Sequence, residues 1–146
     1  MRIRLYFAIV VLLSLCFCLY ACKSCVEESE GQTAPKSLAK MSLEGAATYG
    51  TGSFANMQGY RFTTKFEDQR RFSSVTSSGS VESNGTYTYN VTGNETAVLT
   101  LIDNSSLHTK EKLEVVLRFT SPNAGSYDAK SLSGQQGEQN GTFELR

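Results

Sequence analysis

The chain has 146 residues, with 14 basic and 14 acidic side chains, one histidine, no tryptophan, 8 Phe and 7 Tyr. This length allows one domain, and the balanced charge gives no long-range field that would attract nucleic acid or an anionic membrane. Abundant Thr, Ser and Gly beside the aromatic residues favour strands over helices.

Residues 1–21 have the composition of a targeting segment. Arg2 and Arg4 precede an apolar run, LYFAIVVLLSLCFCLYA, that ends at Ala21. A positive start followed by an apolar stretch at the lower limit for a spanning helix is typical of a signal peptide. We therefore predict a signal helix over residues 1–21 and exclude it from the fold. Its removal leaves 12 basic side chains against 14 acidic ones, a net charge near −2.

The end of this segment, Leu19-Tyr20-Ala21-Cys22, resembles the lipobox of bacterial lipoproteins, with leucine at −3, a small residue at −1 and then cysteine. The resemblance implies a diacylglycerol on the Cys22 sulfur and cleavage before this residue. Several acyl chains on one cysteine hold a protein durably at a membrane. It also implies a cell-envelope location and, if the cell is Gram-negative, the outer membrane, because Lys23, not Asp, follows the cysteine. An uncleaved membrane anchor and an ordinary secreted protein remain alternatives.

Residues 22–40 are predicted to be the lipidated cysteine and a flexible tether. The segment KSCVEESEGQTAPKSLAK is polar, contains Gly31 and Pro35, and has no sustained apolar period. As a flexible coil it would hold the following domain roughly 20–25 Å from the anchor. Cys22 and Cys25 form a C-x-x-C pattern, but a lipid on the first sulfur leaves Cys25 as the free thiol of the mature chain, with its fate open.

Residues 41–146 are predicted to be an all-β domain, because apolar and polar residues alternate along most of this region. The clearest strand places Leu113, Val115, Leu117 and Phe119 on one face. The fold class is an antiparallel meander of about seven or eight strands that forms a small barrel or a sandwich. The residues predicted to face inward are Tyr60, Phe62, Phe66, Phe72, Tyr87, Tyr89, Val91, Ala97, Leu99, Leu101, Leu113, Val115, Leu117, Phe119, Tyr127, Phe143 and Leu145.

Turn-forming residues separate the predicted strands. Asn84-Gly85 predicts a type I′ turn, and Gly93-Asn94-Glu95 predicts a hairpin. A turn is also expected at Pro122–Gly125, and a loop at Ser133–Asn140.

The run GTYTYNVTGNETAVLTL, the longer strand LEVVLRFTS and the closing GTFEL resemble small lipocalin-like or meander domains of bacterial envelope lipoproteins. This resemblance covers most of residues 41–146. It implies a carrier of a small apolar ligand as one candidate function, and it brings no functional residues with it.

Residues with catalytic or metal-binding chemistry are few. His108 follows Asp103-Asn104-Ser105, but neighbours in one loop do not make a Ser–His–Asp triad. One histidine with Cys25 does not make a metal site. Glu67-Asp68 is expected to be a turn. We therefore assign no catalytic, metal or cofactor residue.

One local basic cluster consists of Arg61, Lys65, Arg70 and Arg71, interleaved with Phe62, Phe66 and Phe72. Single-strand nucleic-acid sites combine basic and aromatic residues. Here the alternation sends the aromatic rings inward and Arg61 and Lys65 outward, so nucleic acid is not an expected partner. A lipid headgroup or an anionic glycan fits an outward basic stripe better.

The sequence therefore predicts a lipid-anchored envelope protein that binds a partner without catalysis. Its partners would be the membrane, through the lipid, and an envelope protein, a glycan or a small apolar ligand. The binding loops would be Asp103–Lys112 and Ser131–Asn140, because binding residues concentrate on loops held by a rigid scaffold. The alternatives are a lipocalin-like carrier and an envelope hydrolase that uses two carboxylates from distant strands.

Overall fold

The computed structural model describes residues 31–77, 82–105 and 110–146. The predicted signal helix, Cys22, Cys25 and His108 lie outside these residues. Gln32–Arg146 form one compact unit.

Eight antiparallel strands make up this unit. They are β1 (Ser42–Gly50), β2 (Arg61–Phe66), β3 (Arg71–Thr76), β4 (Glu82–Gly93), β5 (Thr96–Asp103), β6 (Lys112–Ser121), β7 (Ala124–Ser131) and β8 (Glu138–Leu145), with a short 3₁₀ turn at Gly52–Phe54. Each strand pairs with the next, and β8 pairs with β1. The predicted all-β meander is confirmed, and it closes as a barrel rather than a sandwich.

The connections between strands fall at two ends of the barrel, because successive strands run in opposite directions. At the loop end β1 passes into residues 51–60 and β7 into residues 132–137, and β3 and β5 end there while β4 and β6 begin there. The closed end carries the shorter connections 67–70, 94–95 and 122–123, together with the start of β1 and the end of β8.

Residues 32–40, which we call the N-terminal plug, cover the closed end. The amides of Thr33 and Ala34 donate to the carbonyl of Asn94 at 2.8 and 2.9 Å. The hydroxyl of Tyr89, on β4, donates to the carbonyl of Pro35 at 2.8 Å. Ala34 and Leu38 are buried in the barrel core, with 2% and 0% of their surfaces exposed. These residues therefore pack on the barrel instead of continuing the flexible tether predicted from the sequence.

The barrel interior holds most of the residues predicted to face inward. Those that are buried are Phe66, Phe72, Tyr87, Ala97, Leu99, Val115, Leu117, Phe119, Tyr127, Phe143 and Leu145, and those that are half-buried against this core are Phe62, Tyr89, Leu101 and Leu113. Tyr60 and Val91 were predicted inside but are 39% and 37% exposed. Tyr60 precedes β2 at the loop end, and Val91 adjoins a bulge near the β4–β5 hairpin, so neither lies within the enclosed length of its strand.

The predicted turn at Asn84-Gly85 is wrong. Both residues lie inside β4, and Gly85 pairs with Phe72 on one side and Asp103 on the other. A Cβ atom on Gly85 would lie 1.9 Å from the carbonyl oxygen of Ile102. This glycine therefore permits a close approach of two strands rather than a turn.

The other predicted connections agree more closely with the structure. The hairpin at Gly93–Glu95 and the turn at Pro122–Gly125 are confirmed by the pairing of β4 with β5 and of β6 with β7. The loop predicted at Ser133–Asn140 is shorter, since Glu138–Asn140 already belong to β8.

Candidate binding site

The two loops predicted to bind a partner meet at the loop end. The amide of Leu132 donates to the carbonyl of Lys112 at 2.7 Å, and the amide of Lys112 donates to Oγ of Ser133 at 2.6 Å. The Ser133 hydroxyl in turn donates to the carbonyl of Lys110 at 3.3 Å. The β5–β6 and β7–β8 connections are therefore held together by hydrogen bonds where the structure describes them.

The β1–β2 connection joins the same surface. The amide of Thr51 donates to the carbonyl of Glu138 at 2.8 Å, and the amide of Ser53 donates to the carbonyl of Gln136 at 3.4 Å. A Cβ on Gly137 would lie 2.5 Å from the carbonyl oxygen of Thr51, so only glycine allows this approach. Three of the four loop-end connections thus form one braced surface, which the sequence did not predict because these contacts join distant segments.

Large apolar side chains are exposed at this end. Among the described residues, the exposed ones are Tyr49 (54%), Tyr60 (39%), Val75 (43%), Val91 (37%), Ile102 (38%) and Leu132 (44%). All except Val91 lie at strand ends or connections on the loop-end side. Scattered exposed apolar residues are ordinary on protein surfaces, but their concentration at one end is typical of an interaction surface.

The barrel interior contains a small cavity of about 50 Å³. Its lining is mainly apolar and consists of Leu43, Phe62, Thr64, Phe66, Leu99, Leu101, Leu113, Val115, Leu117, Tyr127, Ala129 and Gln139. Phe62, Leu101 and Leu113 are half-buried, unlike the fully buried residues deeper in the barrel. The aromatic side chains therefore fill most of the interior, and the space that remains is lined from both halves of the barrel, by Leu43 and Phe66 toward the closed end and by Leu101 and Leu113 toward the loop end.

Polar groups also line this cavity. The Tyr127 hydroxyl donates to Oε1 of Gln139 at 3.0 Å, and the hydroxyls of Thr64 and Ser74 share a hydrogen bond of 3.0 Å. Gln139 is 7% exposed, and its Nε2 has no hydrogen-bond partner among the described residues. Burial raises the pKa of Tyr127 well above its usual range, so its hydroxyl stays a donor.

Sequence reasoning missed Gln139 because it assigned this residue to a loop. The signal was nevertheless present. Gln139 is separated from Phe143 and Leu145 by an even number of residues, so its side chain lies on the same face of β8 as theirs. Extending the alternation of this strand toward its N-terminal end would have placed Gln139 inside the barrel.

The segment Asp103-Asn104-Ser105 makes local contacts rather than a catalytic arrangement. The Ser105 amide donates to Oδ1 of Asp103 at 2.7 Å, and the Asn104 amide donates to the carbonyl of Asn84 at 2.8 Å. Ser105 is 9% exposed, and its hydroxyl has no partner among the described residues. These residues start the β5–β6 connection.

The closed end is rich in paired charges. Glu67-Asp68 lie in the β2–β3 turn, as predicted. The amides of Arg70 and Arg71 and the Arg71 guanidinium donate to the Asp68 carboxylate at 2.7 to 2.8 Å, and they lower its pKa to about 2. The same carboxylate raises the pKa of Arg71. Arg146 forms ion pairs with Glu44 at 3.0 Å and with Glu144 at 3.8 Å.

The residues of the predicted basic cluster have different roles in the structure. Phe66 and Phe72 face inward and are buried, while Arg61 and Lys65 are exposed, as the alternation predicted. Arg71 forms ion pairs with Asp68 and Glu67 and therefore stabilises the β2–β3 turn.

Within residues 31–77, 82–105 and 110–146, no group of three or more His, Cys, Asp or Glu side chains is arranged to hold a metal ion. No helix in these ranges has the length and hydrophobicity needed to cross a membrane.

Comparisons with known proteins found no matching family model, no matching curated protein and no matching solved structure.

Proposed function

We propose that this protein is a lipid-anchored binding module of the bacterial cell envelope, which recognises its partner through the loop end of the barrel without catalysis. One observation carries the proposal: the exposed large apolar side chains concentrate at the end opposite the N-terminal plug. The closed β-barrel is the rigid scaffold that such a surface needs.

The position of the plug supports the proposed orientation. The first described residues pack at the closed end, where the amides of Thr33 and Ala34 donate to the carbonyl of Asn94. A lipid on Cys22 would then tether the closed end and leave the loop end free to meet a partner.

The exposed side chains define the chemistry of the partner. Tyr49 and Tyr60 combine a large apolar ring with a hydroxyl, and tyrosine is enriched among the residues that dominate binding energy at interfaces. Leu132 adds a purely apolar contact in the braced loops. A surface of this kind fits an apolar patch on an envelope protein or the face of a sugar ring.

The recognition surface is tested with Tyr60→Ser, Leu132→Ser and their combination in the full chain. Val91→Ser is the matched control, because Val91 is exposed to nearly the same degree as Tyr60, at 37% against 39%, but lies near the closed end. Partners and glycans recovered from envelope extract would be measured by quantitative pull-down. We expect the combined variant to bind at least about tenfold more weakly and Val91→Ser to bind normally.

Equal binding by all variants would remove the loop end from recognition. Turnover of an envelope polysaccharide or ester that is lost on replacing one or two carboxylates would instead favour the hydrolase.

The lipid anchor is tested separately. Cys22→Ser should abolish labelling by a fatty-acid analogue and leave an unprocessed precursor, because the thioether is formed before cleavage in lipoprotein processing. A matched Cys25→Ser variant should be labelled and cleaved normally. Cleavage of Cys22→Ser at the same position would overturn the lipobox interpretation.

A lipocalin-like carrier is the second candidate, since the closed barrel is compatible with one. A drug-sized ligand needs roughly 300–1,000 Å³, far more than the cavity of about 50 Å³ beside Leu99 and Val115. A carrier of long acyl chains would therefore have to displace core side chains. Saturable uptake of a fluorescent fatty acid by the full chain would favour this candidate, and absence of uptake would count against it.

A further inference from the structure

We propose that the interior cavity is a binding site for a small neutral molecule with one oxygen acceptor, such as a ketone, ester or aldehyde, which accepts a hydrogen bond from Nε2 of Gln139. A water-sized site occupies roughly 10–15 Å³, so a cavity of about 50 Å³ has room for about four or five non-hydrogen atoms. This site is separate from recognition at the loop end, and it gives the carrier alternative a defined ligand size and chemistry.

The donor is fixed in place by its neighbour. The Tyr127 hydroxyl donates to Oε1 of Gln139 at 3.0 Å, which leaves Nε2 as the unpaired end of the amide. Gln139 is more than nine-tenths buried, and it lines the cavity. Buried amide donors are nearly always paired, with protein, water or ligand. An acceptor inside the cavity would supply the missing partner.

The rest of the lining selects against charge. Leu99, Val115 and Leu117 are buried apolar residues, and none of the described lining residues is ionised at neutral pH. A carboxylate would lose its hydration here without gaining a cation, whereas a carbonyl needs only the one donor. The ligand class is therefore neutral and mostly apolar.

Access is expected from the loop end. Phe62, Leu101 and Leu113 line the cavity but are only half-buried, and all three lie near that end of their strands.

The test uses three probes, 2-butanone, 2-octanone and butyrate, with the full chain in mild detergent. Binding would be followed by NMR from the side-chain amide of Gln139 and the ring of Tyr127. We expect saturable millimolar binding of 2-butanone, with the Gln139 amide resonance moving, and no saturable shift with the larger ketone or with the charged acid.

Variants separate the site from general partitioning into protein or detergent. Gln139→Leu removes the donor, and Gln135→Leu is the matched control in an exposed loop. Gln139→Leu should weaken binding of 2-butanone about tenfold relative to Gln135→Leu, the loss expected when one hydrogen bond is removed. Should Gln139→Leu fail to fold, Val115→Leu fills the cavity without altering the amide and should abolish binding.

Non-saturable shifts with 2-butanone, equal affinities of the two leucine variants, or a cavity that holds ordered water only would each overturn the proposal. Partner binding at the loop end is tested with different variants. The cavity proposal can therefore be wrong while the loop-end proposal is right, and the reverse.

Discussion

The two ends of this barrel are built differently from one set of strands. The closed end has short connections, a buried plug with Leu38 at 0% exposure, and ion pairs at Arg71 and Arg146. The loop end has connections braced by backbone hydrogen bonds, exposed tyrosines, and the buried Gln139 side chain, whose Nε2 has no hydrogen-bond partner among the described residues. Buried and paired groups thus characterise the end that we assign to structure, whereas exposed apolar side chains and an unpaired buried amide characterise the end at which we propose binding.

The largest effect is expected in the core of the closed end. Phe119 is 2% exposed, and its ring packs edge-on against Phe143 with centroids 5.1 Å apart. Phe119→Ala should lower the free energy of unfolding by about 3–5 kcal/mol. Phe62→Ala at the loop end should cost less, because Phe62 is only half-buried. Urea denaturation measures both.

Arg118→Ala is the surface control for Phe119. Arg118 forms an exposed ion pair with Asp128, and exposed pairs contribute little, so the loss should be under about 1 kcal/mol. Similar losses for Phe119→Ala and Arg118→Ala would contradict the assignment of the two strand faces.

The next effect concerns the plug. Leu38→Ala should lower the free energy of unfolding by about 2–5 kcal/mol, because Leu38 is fully buried although it lies outside the strands. Lys36→Ala, two residues away and exposed, should change it by less than about 0.5 kcal/mol. If thermal or urea unfolding shows the same stability for both variants, the plug is not part of the core.

A smaller effect is expected at high pH. Burial raises the pKa of Tyr89 to about 12, and its hydroxyl donates to Pro35 of the plug. Because the folded pKa is above the usual value near 10, this group's stabilisation is present below pH 10 and is lost as the pH rises toward about 12. Tyr89→Phe should lower the free energy of unfolding by about 1 kcal/mol at pH 7. It should also make the free energy of unfolding depend less on pH above pH 10. If the free energy of unfolding falls equally steeply above pH 10 in Tyr89→Phe and in the unmodified protein, Tyr89 ionises freely in the folded protein.

The smallest effect is expected at low pH. The Asp68 carboxylate has its pKa lowered to about 2, first by the amide of Arg70 and then by the side chain of Arg71. A lowered folded pKa means that the stabilisation is present above about pH 4 and is lost as the pH falls toward about 2. Asp68→Asn should make stability less dependent on pH in this window. If the free energy of unfolding of Asp68→Asn and of the unmodified protein falls equally between about pH 4 and pH 2, the Asp68 carboxylate does not stabilise the fold.

Sequence alternation was enough to place most of the barrel interior, because a period of two fixes which face a residue occupies. It failed where neighbouring strands decide the structure. Asn84-Gly85 has the local signature of a turn but is held inside β4 by pairing on both sides. Strand β1, SLEGAATYG, has few large apolar residues and gave no clear pattern, yet Leu43 and Ala47 are buried.

The candidate site was predictable only in part. The loops around Lys112 and Ser133 were expected to bind, and they do lie together. The plug was not predictable, because Ala34 and Leu38 are isolated apolar residues in a polar segment. Their burial depends on the closed end of a barrel that is formed by residues later in the chain. The pairing of Tyr127 with Gln139 likewise arises only when β7 and β8 are in register.

The central claim is that the two ends differ in function, and site-specific photo-crosslinking in intact cells tests it most directly. A crosslinking residue would replace Gln136 at the loop end or Asn94 at the closed end, both of which are exposed. We predict that Gln136 yields a discrete crosslinked partner, competed away by excess unlabelled protein, and that Asn94 yields none. A competed crosslink from Asn94 with none from Gln136 would contradict the account.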